Sequence, residues 1–387
     1  MASRWKPGEP ILAIVGASHA PSQGQGTFTP AGLMAEAAAH AIADAGVDRR
    51  EVDGLFSASA YLYMPTLTLG EYLGIRPRFS DSTTIGGASF LAHLRHAAAA
   101  IAAGCFEVGL IAYGSTQRSD GNRYVKSMTE PLAYEVPVGA RWPIAGYAMM
   151  AQRHMHEFGT TSEQLAEVAV AARQWALLNP DSGQSAPITV EDVVASPMIS
   201  SPLHRLDCCL VSDGGGALVV TSPERARDLT DHPVYVLGVA ETHWARNVSG
   251  IEDFTTVPAA DTAPDALRQA GLSLSDIDVF ELYDSFTIAV LLSLEAIGLC
   301  GRGEGGAFVE QGALRPGGKV PTNTNGGGLS CRHPGMLGMH LALEAMAQLR
   351  GRAGARQVDG ARRALVHGLG GVHMTGVTAV LSAEPQG

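Results

Sequence analysis

The chain has 387 residues, about two to three times the usual size of one domain, so one large domain or two packed halves are the architectures it allows. Hydrophobic residues make up 46% and charged residues 17%, a balance that supports a substantial core and leaves little room for long disordered tails. With 27 Lys+Arg against 38 Asp+Glu the net charge is -11, which repels polyanions and removes nucleic acid from the expected partners.

The first twenty residues, MASRWKPGEPILAIVGASHA, hold too short an apolar run and the wrong flanks for a signal peptide. No stretch reaches the roughly 18 apolar residues of a membrane span, so a cytoplasmic protein with no membrane contact is expected. Residues 41–55, AIADAGVDRREVDGL, predict the end of an amphipathic helix, a glycine stop, an acidic turn and an apolar strand. Thr84-Ile85-Gly86-Gly87-Ala88 then leads into an alanine-rich helix over 89–103 and a strand over 108–113. Helical patterns follow at 144–158 and 162–178, the second ended by Asn179-Pro180. Residues 206–221, LDCCLVSDGGGALVVT, read as a hairpin, two apolar runs around an Asp-Gly turn. A strand starts near Val234, and residues 266–280, ALRQAGLSLSDIDVF, align without a gap on 41–55. Thr324-Asn325-Gly326-Gly327-Gly328 precedes a helix over 335–349 and a strand over 364–367, and a last strand covers 378–381.

Two matched segments, offset by about 225 and 240 residues, are too far apart for a solenoid and imply a duplicated α/β unit. The halves are read as residues 1–232 and 233–387, with 116–205 inserted in the first and without counterpart in the second. An insertion of that length at the mouth of an α/β core covers substrate or packs against the body. Five cysteines, Cys105, Cys208, Cys209, Cys300 and Cys331, show no CxxC spacing, so reduced thiols and no metal site are expected.

The duplicated halves, DCCLVSDGGGALVV at 207–220, ELYDSF at 281–286, NTNGGGLSCRHPGMLG at 323–338 and HGLGG at 367–371 together resemble the thiolase superfamily, nearest to its sterol-carrier-protein-type branch and the steroid side-chain acyl-CoA aldolases. The motifs fall in the family's order over nearly the whole chain. The resemblance implies an α/β thiolase fold, two duplicated βαβ-rich halves in a five-layer αβαβα arrangement, usually a homodimer, acting on coenzyme A thioesters and needing no covalently bound cofactor.

Thiolase chemistry uses a nucleophilic cysteine at a helix N-terminus, donors for two developing oxyanions, and an acid/base at Cα. Counting back from the helix end at residues 101–104 puts the nucleophile's position at Gly87, and no cysteine occurs in residues 1–104. Ser89, the hydroxyl nearest to it, is either a substrate ligand or an N-cap. His333 matches the family's Gly-Gly…His-Pro stretch, which departs from the pattern at Cys331 and Arg332. Cys331 is either an acid/base or nucleophile or a passive wall. Tyr283 stands where relatives hold a catalytic water and Ser285 where branch members carry a reactive cysteine. A phenol with a pKa near 10 is a poor base but a proton donor to a developing enolate. His367 corresponds to the cysteine of the family's last motif, as an acid/base or as the polar end of a buried strand. The resemblance thus assigns Tyr283, His333, His367 and Cys331 to catalysis, and Gly86, Gly87, Ser89, Asp284, Gly327 and Gly370 to binding the thioester.

A thiolytic cycle needs a covalent acyl-enzyme, and a chain with glycine at the nucleophile's position lacks that attacker. Retro-aldol cleavage of a β-hydroxyacyl-CoA needs only proton transfer and oxyanion donors. The expected activity is therefore a carbon–carbon lyase, with a steroid- or terpenoid-derived side chain as substrate. Two rivals remain: an acyltransferase using another nucleophile such as Cys331, and a non-catalytic acyl-CoA-binding scaffold. Aldolase relatives commonly work with a small OB-fold and zinc-ribbon protein, which is the expected partner besides a second copy of the chain.

Overall fold

The computed structural model describes residues 5–20, 28–121, 134–246 and 248–385, so residues 122–133 of the expected insertion lie outside the described ones. The chain opens with β1 (Leu12–His19), α1 (Pro30–Asp44), β2 (Gly54–Ser57), α2 (Pro65–Leu73), β3 (Phe79–Asp81), α3 (Ser89–Ala102) and β4 (Val108–Ser115). Helices α4 (Ile144–Phe158), α5 (Ser162–Leu177) and the short α6 (Val190–Val194) come next, then the ribbon of β5 (Met198–Ser200) and β6 (Leu203–His204). After β7 (Gly214–Thr221) and α7 (Pro223–Leu229) follow β8 (Val234–His243), α8 (Ala259–Ala270), β9 (Val279–Leu282), α9 (Thr287–Ile297) and α10 (Gly305–Glu310). The chain ends with α11 (Gly338–Leu349), β10 (Arg363–Gly370) and β11 (Thr375–Ser382).

The two aligned segments fold alike. Helix α1 is capped by Thr29, whose hydroxyl accepts from the Gly32 amide at 3.1 Å, and the chain leaves it through Gly46 at φ 66°. Helix α8 is left through Gly271 at φ 64°. Each exit runs into a 3-10 turn held by an acidic capping box, Asp48 with Glu51 and Ser273 with Asp276, and then into β2 or β9.

Nine strands join in the order β3-β2-β4-β7-β1-β8-β11-β10-β9, a mirror sequence about the antiparallel pair β1–β8. Thr322 bridges to Phe280 beside β9, where β3 stands beside β2 on the other side. Helices α3 and α11 touch strands of both wings, while α1 covers β1, β4 and β7, and α8 covers β8 and β11, giving the layers α, β, α, β, α. The alanine-rich α3 is buried along most of its length because strands press on it from two sides. The glycines at the start of β7 serve the same packing: a side chain on Gly216 would lie 2.7 Å from Met339 and Leu343 of α11.

The expected hairpin over 206–221 does not form. Only Gly214–Thr221 is a strand, and it pairs with β4 and β1 rather than with the run before it. The Cys208–Val211 run instead docks on the loops after β9: the Cys209 amide donates to Ser285 O at 2.9 Å and the Leu210 amide to Gly328 O at 2.9 Å. Long-range partners outbid the local turn. Among the described residues no helix is long and apolar enough to cross a membrane.

Candidate active site

A cleft of about 420 Å³ opens where β9, β10 and the N-terminal end of α3 converge. Its floor is Gly86 and Gly87 before α3, Tyr283 after β9, and Gly370 and Gly371 at the end of β10. One wall comes from His333, Gly335 and Met336, another from Cys208–Val211, and Trp142, Ile144 and Tyr147 of the α4 region close the third. The stretch expected to be an insertion thus contributes a wall.

Tyr283 is placed by backbone ties on both sides of it: the Leu282 amide donates to Asn323 Oδ1 at 2.7 Å and the Tyr283 amide to His367 O at 3.1 Å. Its ring lies over Gly87, where an added Cβ would sit 2.1 Å from Cε2 and 2.5 Å from the hydroxyl oxygen. The phenol therefore occupies the space that a side chain at the helix start would need. The hydroxyl accepts from the Leu337 amide at 3.1 Å and reaches Gly335 O only at 3.5 Å, so its own proton is weakly held. Burial pushes its pKa well above the usual 10, against the pull of the Leu337 amide, and keeps it a neutral proton donor.

His333 meets that ring edge-on, with centroids 5.5 Å apart and planes at 81°. Its amide donates to Ser212 Oγ at 3.0 Å, and its buried Nε2 has no hydrogen-bond partner among the described residues. Burial lowers its pKa to about 4, so the imidazole is neutral at physiological pH, with Nε2 free to accept or donate.

The other assigned residues divide. Gly86, Gly87 and Gly370 line the cleft, as Tyr283 and His333 do. Ser89 does not: its hydroxyl donates to Gly86 O at 2.6 Å and accepts from the Ile85 amide at 2.9 Å, clamping the loop rather than substrate. Asp284 and Gly327 also lie behind the cleft wall. The Asp284 carboxylate accepts from the Gly328 and Leu329 amides at 2.7 and 3.1 Å and so holds the π-helical turn Gly327–Cys331 that leads to His333. Cys331 faces away from the cleft, its Sγ 3.6 Å from Asn179 Nδ2 and 3.5 Å from Arg332 Nε, and burial raises its pKa; it is not placed to attack a substrate there. His367 lies in β10 with Nδ1 2.9 Å from Thr378 Oγ1, which in turn meets Thr262 of α8 at 2.7 Å, so it points into the outer layer and not into the cleft.

Other residues of the cleft went unassigned. Tyr147 of α4 packs its ring 4.5 Å from that of Phe286, and burial raises its pKa. Gln117 enters from the end of β4. Cys208 and Cys209 line the cleft, but burial holds both thiols protonated, pushing Cys208 up to about 12. The Cys-Cys pair was visible in the sequence; its position beside the site depended on the docking of the Cys208–Val211 run on Ser285 and Gly328 described above.

Residues 240–383 match the thiolase C-terminal domain-like family. An acetyl-CoA acetyltransferase of Methanothermobacter thermautotrophicus is 35% identical over 90% of this chain and 94% of its own length. A steroid side-chain-cleaving aldolase of Thermomonospora curvata is 36% identical over 89% of this chain and 91% of its own length. The solved structure "Ltp2-ChsH2(DUF35) aldolase" superposes with a TM-score of 0.86 at 34% identity, covering 97% of this chain and 98% of that one. A mirrored α/β/α/β/α body, a glycine rim at the α3 start and the His-Pro turn agree with these likenesses: the chain has the thiolase fold and belongs to the thiolase superfamily, in its branch with the steroid side-chain-cleaving aldolases.

Proposed function

We propose that the chain is a carbon–carbon lyase that cleaves a β-hydroxyacyl-CoA by retro-aldol chemistry, without a covalent cysteine intermediate. The observation that carries this reading is the Tyr283 ring seated where a side chain on Gly87 would lie. With no attacker at the helix start, the cleft is left with a neutral imidazole and a neutral phenol at its reacting end. His333 Nε2 takes the β-hydroxyl proton. The O–H electron pair becomes the π-bond of the carbonyl product as the Cα–Cβ bond breaks, and the Cα–Cβ pair passes to the thioester as an enolate. The Tyr283 hydroxyl donates a hydrogen bond to that enolate oxygen, and the proton on His333 returns to Cα, so no net proton is lost. The apolar walls at Trp142, Ile144 and Phe286 suit a bulky hydrocarbon acyl group such as a steroid or terpenoid side chain.

The reading extends to assembly. We read residues 1–232 and 233–387 as the duplicated halves, with the boundary after α7. Exposed Tyr63, Leu67 and Tyr72 around α2, beside the edge strand β3, suit a second copy of the chain. A small OB-fold and zinc-ribbon subunit is the proposed further partner, an idea supported by the two-component name of the aldolase structure above.

A panel of β-hydroxyacyl-CoA esters, with copurifying protein retained, tests the activity. Cleavage to a ketone or aldehyde plus acetyl- or propionyl-CoA is expected, with Tyr283→Phe lowering kcat by about 10²–10⁴-fold. An acyl adduct on Cys208 or Cys209 in the intact mass would instead indicate an acyltransferase. Flux unchanged in Tyr283→Phe and His333→Ala would leave only a scaffold role.

A further inference from the structure

Gln117 follows β4 and is 8% exposed. Its Oε1 is buried without a hydrogen-bond partner among the described residues, although the residue lines the cleft. Leaving that buried atom unbonded carries a desolvation cost that a bound ligand would recover. The turn that carries it is fixed: Asp213 accepts from the Arg118 and Ser119 amides at 2.9 and 3.0 Å and from the Ser119 hydroxyl. The carboxamide rests on Gly335, where an added Cβ would meet Oε1 at 2.4 Å. Gly335 is also the residue whose carbonyl faces the Tyr283 hydroxyl at 3.5 Å. Gln117 therefore stands at the reacting end of the cleft, and its place there suits the acyl group rather than the coenzyme A tail.

We infer that the Gln117 carboxamide is the ligand of the substrate's β-oxygen, donating an N–H to it while the hydroxyl proton points to His333, and that it makes the enzyme select hydroxylated over saturated acyl chains. An uncharged amide suits this position because it donates without exchanging a proton, so the same contact persists as the β-carbon becomes a carbonyl. The unpartnered Oε1 and the Nε2 of a carboxamide exchange places by a half-turn, and the orientation that puts Nε2 where Oε1 lies is the one that donates to the β-oxygen. The inference rests on the lyase reading.

The test uses two ligands that cannot be cleaved because they lack a carbonyl: an S-(3-hydroxyalkyl)-coenzyme A thioether and its S-alkyl counterpart of equal length. Equilibrium binding to the purified full chain is expected to favour the hydroxylated thioether by about 5–150-fold, the range of one buried hydrogen bond. In Gln117→Met, which keeps the length and volume, that preference falls to within about twofold. Gln117→Asn serves as a second variant should the Met side chain repack the cleft, with the melting temperature of each confirming its fold. Equal binding of both thioethers by the unaltered protein, or a preference that survives in Gln117→Met, overturns the inference while leaving the lyase reading to the cleavage panel. Binding of neither thioether overturns both.

Discussion

At Gly87 an added methyl group would lie 2.1 Å from the Tyr283 ring, far inside van der Waals contact, and the ring is held by the Leu337 amide on its hydroxyl. Neither residue is free to vary alone. Gly87→Ala is expected to destabilise the fold by about 1–3 kcal/mol through overpacking. In a Tyr283→Ala background, where the ring is gone, the same methyl has room and its cost falls below about 0.5 kcal/mol. Denaturant unfolding of the two single variants and the double variant measures the coupling. Additive effects would contradict the shared-space account and remove the steric reason for a missing cysteine. The cycle also separates packing from chemistry: Tyr283→Phe keeps the ring, so Gly87→Ala stays costly there even though the proton donor is lost.

The π-helical turn Gly327–Cys331 shows how one element sets the site from behind it. Asp284 caps two of its amides, and burial raises the carboxyl pKa to about 7 against the pull of those same amides. Replacing one acceptor oxygen by an NH2 group in Asp284→Asn would set donor against donor at Gly328 or Leu329. We expect a loss of about 1–3 kcal/mol in unfolding free energy and a fall in kcat, with KM for the coenzyme A ester little changed because the turn moves His333 and leaves the apolar wall at Trp142, Ile144 and Tyr147 in place. A rise in KM with unaltered kcat would instead mark Asp284 as a substrate ligand. Nothing local in Tyr-Asp-Ser-Phe distinguishes these roles, since the amides it holds come from 44 and 45 positions later. The same limit explains Cys331 and His367: each belongs to a motif near the cleft, but a strand alternates its side chains and a turn fans them out, so sequence proximity does not set direction. Helices α4 and α5 were legible because their periodicity is local. The run at 206–213 was misread as half of a hairpin because its partners, Ser285 and Gly328, lie far along the chain.

At the scale of the whole molecule the duplication was legible, since both copies of the helix–glycine–turn–strand unit keep their local signals, whereas the mirror order of the strands about β1 and β8 follows from pairings that no window of sequence contains. Holding the two wings together is a charged clasp as well as a core. Asp81 at the end of β3 lies 2.6 Å from Nδ1 of His96 on α3, and Glu241 on β8 lies 3.7 Å from Nε2, with Arg95 and His243 also facing Glu241. The hydrogen bond that His96 donates to Asp81, then that to Glu241, raises its pKa to about 9 against the cost of desolvation. Both carboxyl groups have lowered pKa values, so they are ionised throughout the range where the imidazole titrates. Because the folded pKa lies above the unfolded value of about 6.5, the clasp's contribution is complete below pH 6.5 and is lost as pH rises through 9. The imidazole keeps 28% of its surface exposed, so solvent screening limits the contribution to about 1 kcal/mol. The unfolding free energy of the unaltered protein should therefore exceed that of His96→Gln by about 1 kcal/mol at pH 6, and the gap should close above about pH 9.5. A gap that widens with pH, or stays constant from pH 6 to 10, would mean that His96 supports the wing contact by packing alone and that its charge contributes nothing to holding the duplicated body together.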